Sequence, residues 1–223
     1  MDKVIFWDFD GTLVKPNVRF IDAFDFSLRQ FGYVVQIEEI TKHLKSIFPW
    51  LNYDKSYPNE TDKWWDNFLA NLNPFYLQNK VATQDIKKIN LTYKQRITTV
   101  NDYVVYDDTK SVLEKCMQLG YRNYLLSNNF PELTHFVEDF GLTKYFSGLI
   151  VSSHVGYEKP RQELYDYAKK MANCDSGIMV GDNPVADILG GKQAGLKTVF
   201  VHNSTPSQAD YTFNSLEEIL KII

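Results

Sequence analysis

The chain has 223 residues, of which 44% are hydrophobic and 23% charged, and a net charge of −4 at neutral pH. That is enough chain to bury a core without staples, and an acidic balance with no basic stripe argues against nucleic acid as a main partner. No apolar run is long enough to span a membrane, the first residues read as a strand rather than a leader, and Cys116 and Cys174 lack metal-ligand spacing, so the expectation is a cytoplasmic chain without membrane association.

In chain order, Val4-Ile5-Phe6-Trp7 is a short apolar strand running into Asp8-Phe9-Asp10-Gly11-Thr12. A strand sends alternate side chains to one side, so Asp8 and Asp10 can converge where a parallel sheet exposes its carboxyl ends. Gly11 permits a tight turn there. Two acids so close repel each other, and a hard divalent cation such as Mg²⁺ is the natural remedy.

From residue 17 to 103 the pattern is helical. Phe20, Ala23, Phe24, Ser27, Leu28 and Phe31 mark an amphipathic helix ending at Gly32; a second fits Glu38 to Phe48, closed by Pro49. A third is expected from Thr61 to Leu72, ended by Asn73-Pro74, with weaker periodicity from Gln78 to Asn101. No strand is expected in this stretch. It leaves and rejoins the chain beside Asp8 and Asp10, where a helical unit can cover a site and exclude water.

Helices and strands then alternate. The helices are expected at Asp107–Leu119, Pro131–Phe140, Arg161–Met171 and Pro184–Gln193, and the strands at Asn123–Leu126, Gly148–Val151, Gly177–Val180 and Thr198–Val201, the last clear one. Mostly apolar strands alternating with helices imply a parallel sheet covered on both faces.

Each later strand is followed by polar residues suited to phosphate or metal. Ser127-Asn128 reads as the start of a helix, whose N–H groups attract anions. Pro160 restricts Lys159 to an extended conformation and offers a fixed ammonium. Gly181-Asp182-Asn183-Pro184 repeats the placement of Asp8, with Asp187 on the next helix. Taken singly, each is also what a capped helix or a solvated lysine looks like. All four in order are not.

These four motifs resemble those of the haloacid dehalogenase-like hydrolase superfamily: D-x-D-G-T at Asp8–Thr12, a hydroxyl at Ser127, a lysine at Lys159, and G-D-x-x-x-x-D from Gly181 to Asp187. The resemblance implies an α/β chain with a Rossmann-like parallel-sheet core, helices on both faces, at residues 1–16 and 104–223, and an inserted all-helical cap at 17–103. It implies a Mg²⁺-dependent phosphatase hydrolysing a small phosphate monoester through an aspartyl-phosphate. Asp8 would be the nucleophile and Asp10 the general acid and base; Asp8, the Asp10 carbonyl and Asp182 would hold Mg²⁺. Ser127, Asn128 and Lys159 would bind the phosphoryl oxygens, with Thr12, Asn183 and Asp187 in support. The expected partner is a small phosphorylated metabolite, and the expected state a monomer or weak homodimer.

Dehalogenating relatives lack an acid at the place of Asp10, because their leaving group needs no proton. Phosphomutases keep it, and phosphonate hydrolases need a cap amine, for which Lys15, Lys42, Lys45 and Lys55 are candidates, so both stay as alternatives. From a different class, a non-turnover phosphoacceptor or binding protein would share several of the strand-end residues. The leaving group is expected to be met by the cap and by Val14–Arg19, with Lys15, Arg19 and Lys45 as candidate cations. Trp50, Trp64 and Trp65 are candidate stacking rings, although helical spacing marks them more simply as cap core.

Overall fold

Four apolar residues in a row form the first strand, β1 (Val4–Trp7), and the strand is buried on both faces. Ile5 and Trp7 turn to one side of the sheet, Val4 and Phe6 to the other, as the two-residue period requires. The computed structural model describes residues 2–16, 20–52, 61–100, 103–202 and 207–223.

Among them, six strands make a parallel sheet in the order β5 (Gly148–Val151), β4 (Arg122–Ser127), β1, β6 (Ile178–Gly181), β7 (Lys197–Val201) and β8 (Tyr211–Phe213). β1 pairs with β4 on one side and β6 on the other. Successive strands are therefore laid outward in both directions from β1, and the carboxyl ends of β1, β4 and β6 meet at the crevice such a reversal leaves. The helices that flank the sheet are α6 (Thr109–Gln118), α7 (Leu133–Asp139), α8 (Ser152–Val155), α9 (Gln162–Ala172) and α10 (Gly190–Gln193).

Between β2 (Val14–Pro16) and β3 (Tyr103–Val105) lie α1 (Phe20–Arg29), α2 (Ile37–Ile47), α3 (Trp64–Ala70), α4 (Asn73–Gln78) and α5 (Thr83–Ile97). Phe24 is their aromatic centre, with ring centroids 4.9 Å from Tyr93, 5.2 Å from Phe75 and 6.0 Å from Tyr76. Each such pair contributes about 0.5–1.5 kcal/mol beyond the area it buries. One cluster of buried side chains runs from Ile5 and Trp7 through Phe130 and Phe136 into Phe24, Phe48 and Phe68, so these helices share a core with one face of the sheet. No described helix is long and apolar enough to cross a membrane.

The structure differs from the sequence expectations in several places. Asn73-Pro74 opens α4 instead of ending a helix, because proline lacks only an N–H that a first turn leaves unbonded anyway. The antiparallel β2–β3 pair and the sixth strand β8 are three residues each, too short to carry a readable period. α7 begins at Leu133, so Ser127 ends β4 and Asn128 opens a loop, and neither starts a helix. Pro184–Gln193 is not one α-helix: a wide π-type turn over Pro184–Leu189 precedes α10.

A buried polar knot ties β1 to its surroundings. Trp7 Nε1 donates to Asn123 Oδ1 at 3.0 Å, and Asn123 Nδ2 donates to the carbonyls of Leu113 and Tyr145 at 3.1 and 3.2 Å. Asn123→Ala strands one donor and two acceptors in the core. Urea denaturation is expected to show a loss of about 2–4 kcal/mol; a loss under about 0.5 kcal/mol contradicts this role.

Candidate active site

Asp8 continues β1, its N–H donating to the Val180 carbonyl at 2.9 Å. The chain then doubles back. Leu13 N and Val14 N both donate to the Phe9 carbonyl, and Gly11 N donates to the Val14 carbonyl. Gly11 sits at φ +79°, and a Cβ there would lie 2.6 Å from the Asp182 carboxyl carbon, so backbone shape and space both demand glycine.

Lys159 is 1% exposed and reaches the site from the segment between α8 and α9. Its Nζ donates to Asp8 Oδ1 at 2.8 Å, Asp187 Oδ1 at 2.6 Å and the Leu126 carbonyl at 2.8 Å. Burial works against the ammonium, but Asp187 and Asp8 outweigh it and hold its pKa above the ordinary lysine value. The Asn128 side chain grips the Lys159 peptide from both sides, accepting from its N–H at 2.7 Å and donating to its carbonyl at 2.9 Å. The amide side chain of Asn128 thus positions the lysine.

The acids outnumber the ammonium. Burial, and then the Asp8 charge, push Asp10 up to about 7, against the opposing pull of Asn129 and Lys159. Asp182 is raised by burial, by Asp8 and by Asp187, and Asp187 is raised by burial despite its lysine partner. Asp8, Asp182 and Asp187 each offer an oxygen within 4.8 Å of the others. Asp187 accepts Lys159 Nζ on Oδ1 and Asn183 N on Oδ2, so both of its oxygens are already engaged within the protein. An all-oxygen cluster with excess negative charge suits Mg²⁺ better than a softer metal.

Asp8, Asp10, Ser127, Asn128, Lys159, Asp182, Asn183 and Asp187 line one cavity of about 290 Å³. Ser127 Oγ and Asp10 Oδ1 are buried there with no hydrogen-bond partner in the protein, as expected of groups meant for a ligand. Thr12 is fully buried, and its carbonyl lies 3.2 Å from His202 Nε2, which supports the loop from behind. Asn183 Oδ1 accepts from Val185 N and Ala186 N, so this side chain caps the turn that carries Asp187.

Sequence reasoning missed Asn129, whose Nδ2 donates to Asp10 Oδ2 at 2.7 Å; its place beside Ser127-Asn128 was the available signal. It also missed Phe20, Leu51 and Tyr103 on the cavity wall. Lys15, Lys45, Trp64 and Trp65 are not on that wall; both tryptophans are buried, and Trp65 Nε1 donates to Glu132. Arg19, Lys55 and the side chain of Trp50 lie outside the described residues.

A model of the haloacid dehalogenase-like hydrolases matches residues 3–195. The chain is 35% identical over 108 residues to the pyrimidine 5′-nucleotidase YjjG of Escherichia coli, covering 44% of this chain and 48% of that protein. It is 25% identical over 218 residues to the glyceraldehyde 3-phosphate phosphatase of Pyrococcus abyssi, covering 90% and 81%. Its fold matches a magnesium-bound structure of YfnB from Bacillus subtilis with a TM-score of 0.71, at 20% identity over 98% of this chain and 97% of that one.

Next to Lys159, Glu158 is buried, with Oε2 unpartnered, and burial raises its pKa from 4.5 to about 7 although Arg161 opposes the shift. The folded state therefore favours the protonated carboxyl. Its contribution is fully present below pH 4.5 and is lost as pH rises to about 7. Stability of the parent relative to Glu158→Gln is expected to fall by about 3 kcal/mol across that window in urea titrations. A difference independent of pH would show that the carboxylate is paired.

Proposed function

The chain belongs to the haloacid dehalogenase-like hydrolase family, and we propose that it is a divalent-metal-dependent phosphatase acting on a small phosphate monoester through an aspartyl-phosphate. The observation that carries this reading is the meeting, in one cavity, of a strand-end Asp8 bonded to a buried lysine, a second acid two residues on, and the unpartnered hydroxyl of Ser127.

Asp8 attacks phosphorus, and the bond to the leaving oxygen breaks as Asp10 gives that oxygen its proton. Asp10, now a carboxylate, takes a proton from water, whose oxygen attacks the aspartyl-phosphate; inorganic phosphate leaves and Asp8 is restored. A carboxyl pushed to about 7 can both carry and release a proton at neutral pH. Asn129 aims it through Oδ2 and leaves Oδ1 toward the cavity. Ser127 Oγ donates to a phosphoryl oxygen. Lys159 fixes the attacking carboxylate and adds positive charge at the phosphoryl site.

Asp8 and Asp182, with the Asp10 carbonyl, would hold Mg²⁺, which when bound neutralises phosphoryl charge. The need for positive charge can be sized: two unit charges 4 Å apart repel by about 4 kcal/mol at an effective dielectric of 20. The acid at position 10 separates this chemistry from dehalogenation, where no leaving group needs a proton. The relatives' names do not converge on one substrate, since one is a nucleotidase and the other a sugar-phosphate phosphatase.

With p-nitrophenyl phosphate and Mg²⁺, Asp8→Asn is expected to lower kcat by about 10³-fold or more with circular dichroism unchanged, and EDTA to stop the parent until Mg²⁺ is restored. Undiminished turnover in either case overturns the assignment. Asp10→Asn is expected to lower kcat on alkyl phosphates by about 10²–10⁴-fold and to accumulate phosphoenzyme on p-nitrophenyl phosphate, whose leaving group needs no proton. Acid quenching that traps no phosphoenzyme contradicts the two-step role.

A further inference from the structure

Once the polar groups that face the phosphoryl end are set aside, the cavity wall that remains is Phe20, Leu51, Tyr103 and Ala186, and the two rings dominate it. Phe20 is the first residue of α1 and Tyr103 the first of β3, so both stand where the helical insertion leaves and rejoins the core. Their rings are held by neighbours. Phe20 lies edge-on to Phe48 at 4.9 Å and to Phe130 at 6.4 Å; Tyr103 lies edge-on to Phe136 at 4.9 Å. The Tyr103 hydroxyl donates to the Ile97 carbonyl at 3.3 Å, within the protein. A packed ring binds another ring with little loss of its own freedom.

An apolar wall carrying two fixed rings suits an aromatic ring on the leaving alcohol, which packs there with a geometric preference as well as by area.

We infer that the alcohol released by this enzyme carries an aromatic ring that packs against Phe20 and Tyr103, the chemistry shared by nucleoside 5′-monophosphates and aryl phosphates. This rests on the phosphatase reading above and narrows it to a substrate class. A cavity of about 290 Å³ is at the small end for ligand sites, enough for the phosphoryl group and a compact ring-bearing alcohol.

The test compares kcat/KM, with Mg²⁺, for uridine 5′-monophosphate, adenosine 5′-monophosphate and phenyl phosphate against glycerol 1-phosphate, O-phosphoserine and 3-phosphoglycerate. At least one ring-bearing ester is expected to exceed every acyclic one by about tenfold or more, and the nucleotides and phenyl phosphate separate a nucleobase from a simple aryl group. Phe20→Leu and Tyr103→Leu keep apolar bulk but remove the ring. Each is expected to shrink the ratio of ring-bearing to acyclic kcat/KM by about tenfold, through KM rather than kcat. Acyclic esters turned over equally well, or a ratio unmoved in both variants, overturns the inference while hydrolysis of glycerol 1-phosphate leaves the phosphatase reading standing. No hydrolysis of any ester, p-nitrophenyl phosphate included, removes both.

Discussion

Lys159, bonded at once to Asp8, Asp187 and the Leu126 carbonyl, is the contact from which the rest of the site is arranged. A buried ammonium is tolerated only with charged partners and full hydrogen bonding, and here all three N–H groups are used. The three acceptors come from the end of β1, from β4 and from the turn after β6, so one side chain holds the ends of the three central strands together. The arrangement constrains its neighbours. A Cβ at Gly181 would overlap the Asp187 side chain, and the Asn128 side chain is committed to the lysine's own peptide.

The same contact leaves the pocket short of positive charge. One ammonium is shared between two carboxylates, while Asp10 and Asp182 add further acid, and burial raises the pKa of both. Such a set is stabilised when a divalent cation and a phosphoryl group, with charges that complement each other, enter together. Asp10 is held apart from this crowd by Asn129, which orients it without neutralising it. Asp8 and Asp10, the proposed nucleophile and acid–base group, thus differ in environment though they stand two residues apart.

The cavity has two sides. The sheet ends supply the acids, hydroxyl and lysine, whereas the opposite wall takes Phe20 from α1 and Tyr103 from β3, the two ends of the inserted segment. The layers are tied together close to the site: Glu132 accepts from Trp65 Nε1 at 2.8 Å and pairs with Lys94 at 3.0 Å, and Lys94 Nζ lies 4.8 Å from the Trp65 ring centre. Glu132 follows the loop bearing Asn129, so the position of the helices and that of the acid-orienting amide are linked through one short segment.

The parallel sheet was legible from apolar runs punctuated by glycine, and the strand-end polar residues from their order, because both are local features repeated along the chain. Asp8, Ser127 and Asp182 could be named from the sequence since each ends or directly follows a strand, and Asp10, Lys159 and Asp187 since they complete the same ordered motifs. What each does with its atoms could not. That Asn128 braces a lysine, that Asn129 aims Asp10, and that Phe20 and Tyr103 form the wall across from them depend on segments separated by up to 119 residues coming into contact. Periodicity and turn chemistry report on neighbours a few residues apart. Only the packing of the sheet against the inserted helices determines which distant side chains share a buried cavity, and burial there sets their charge.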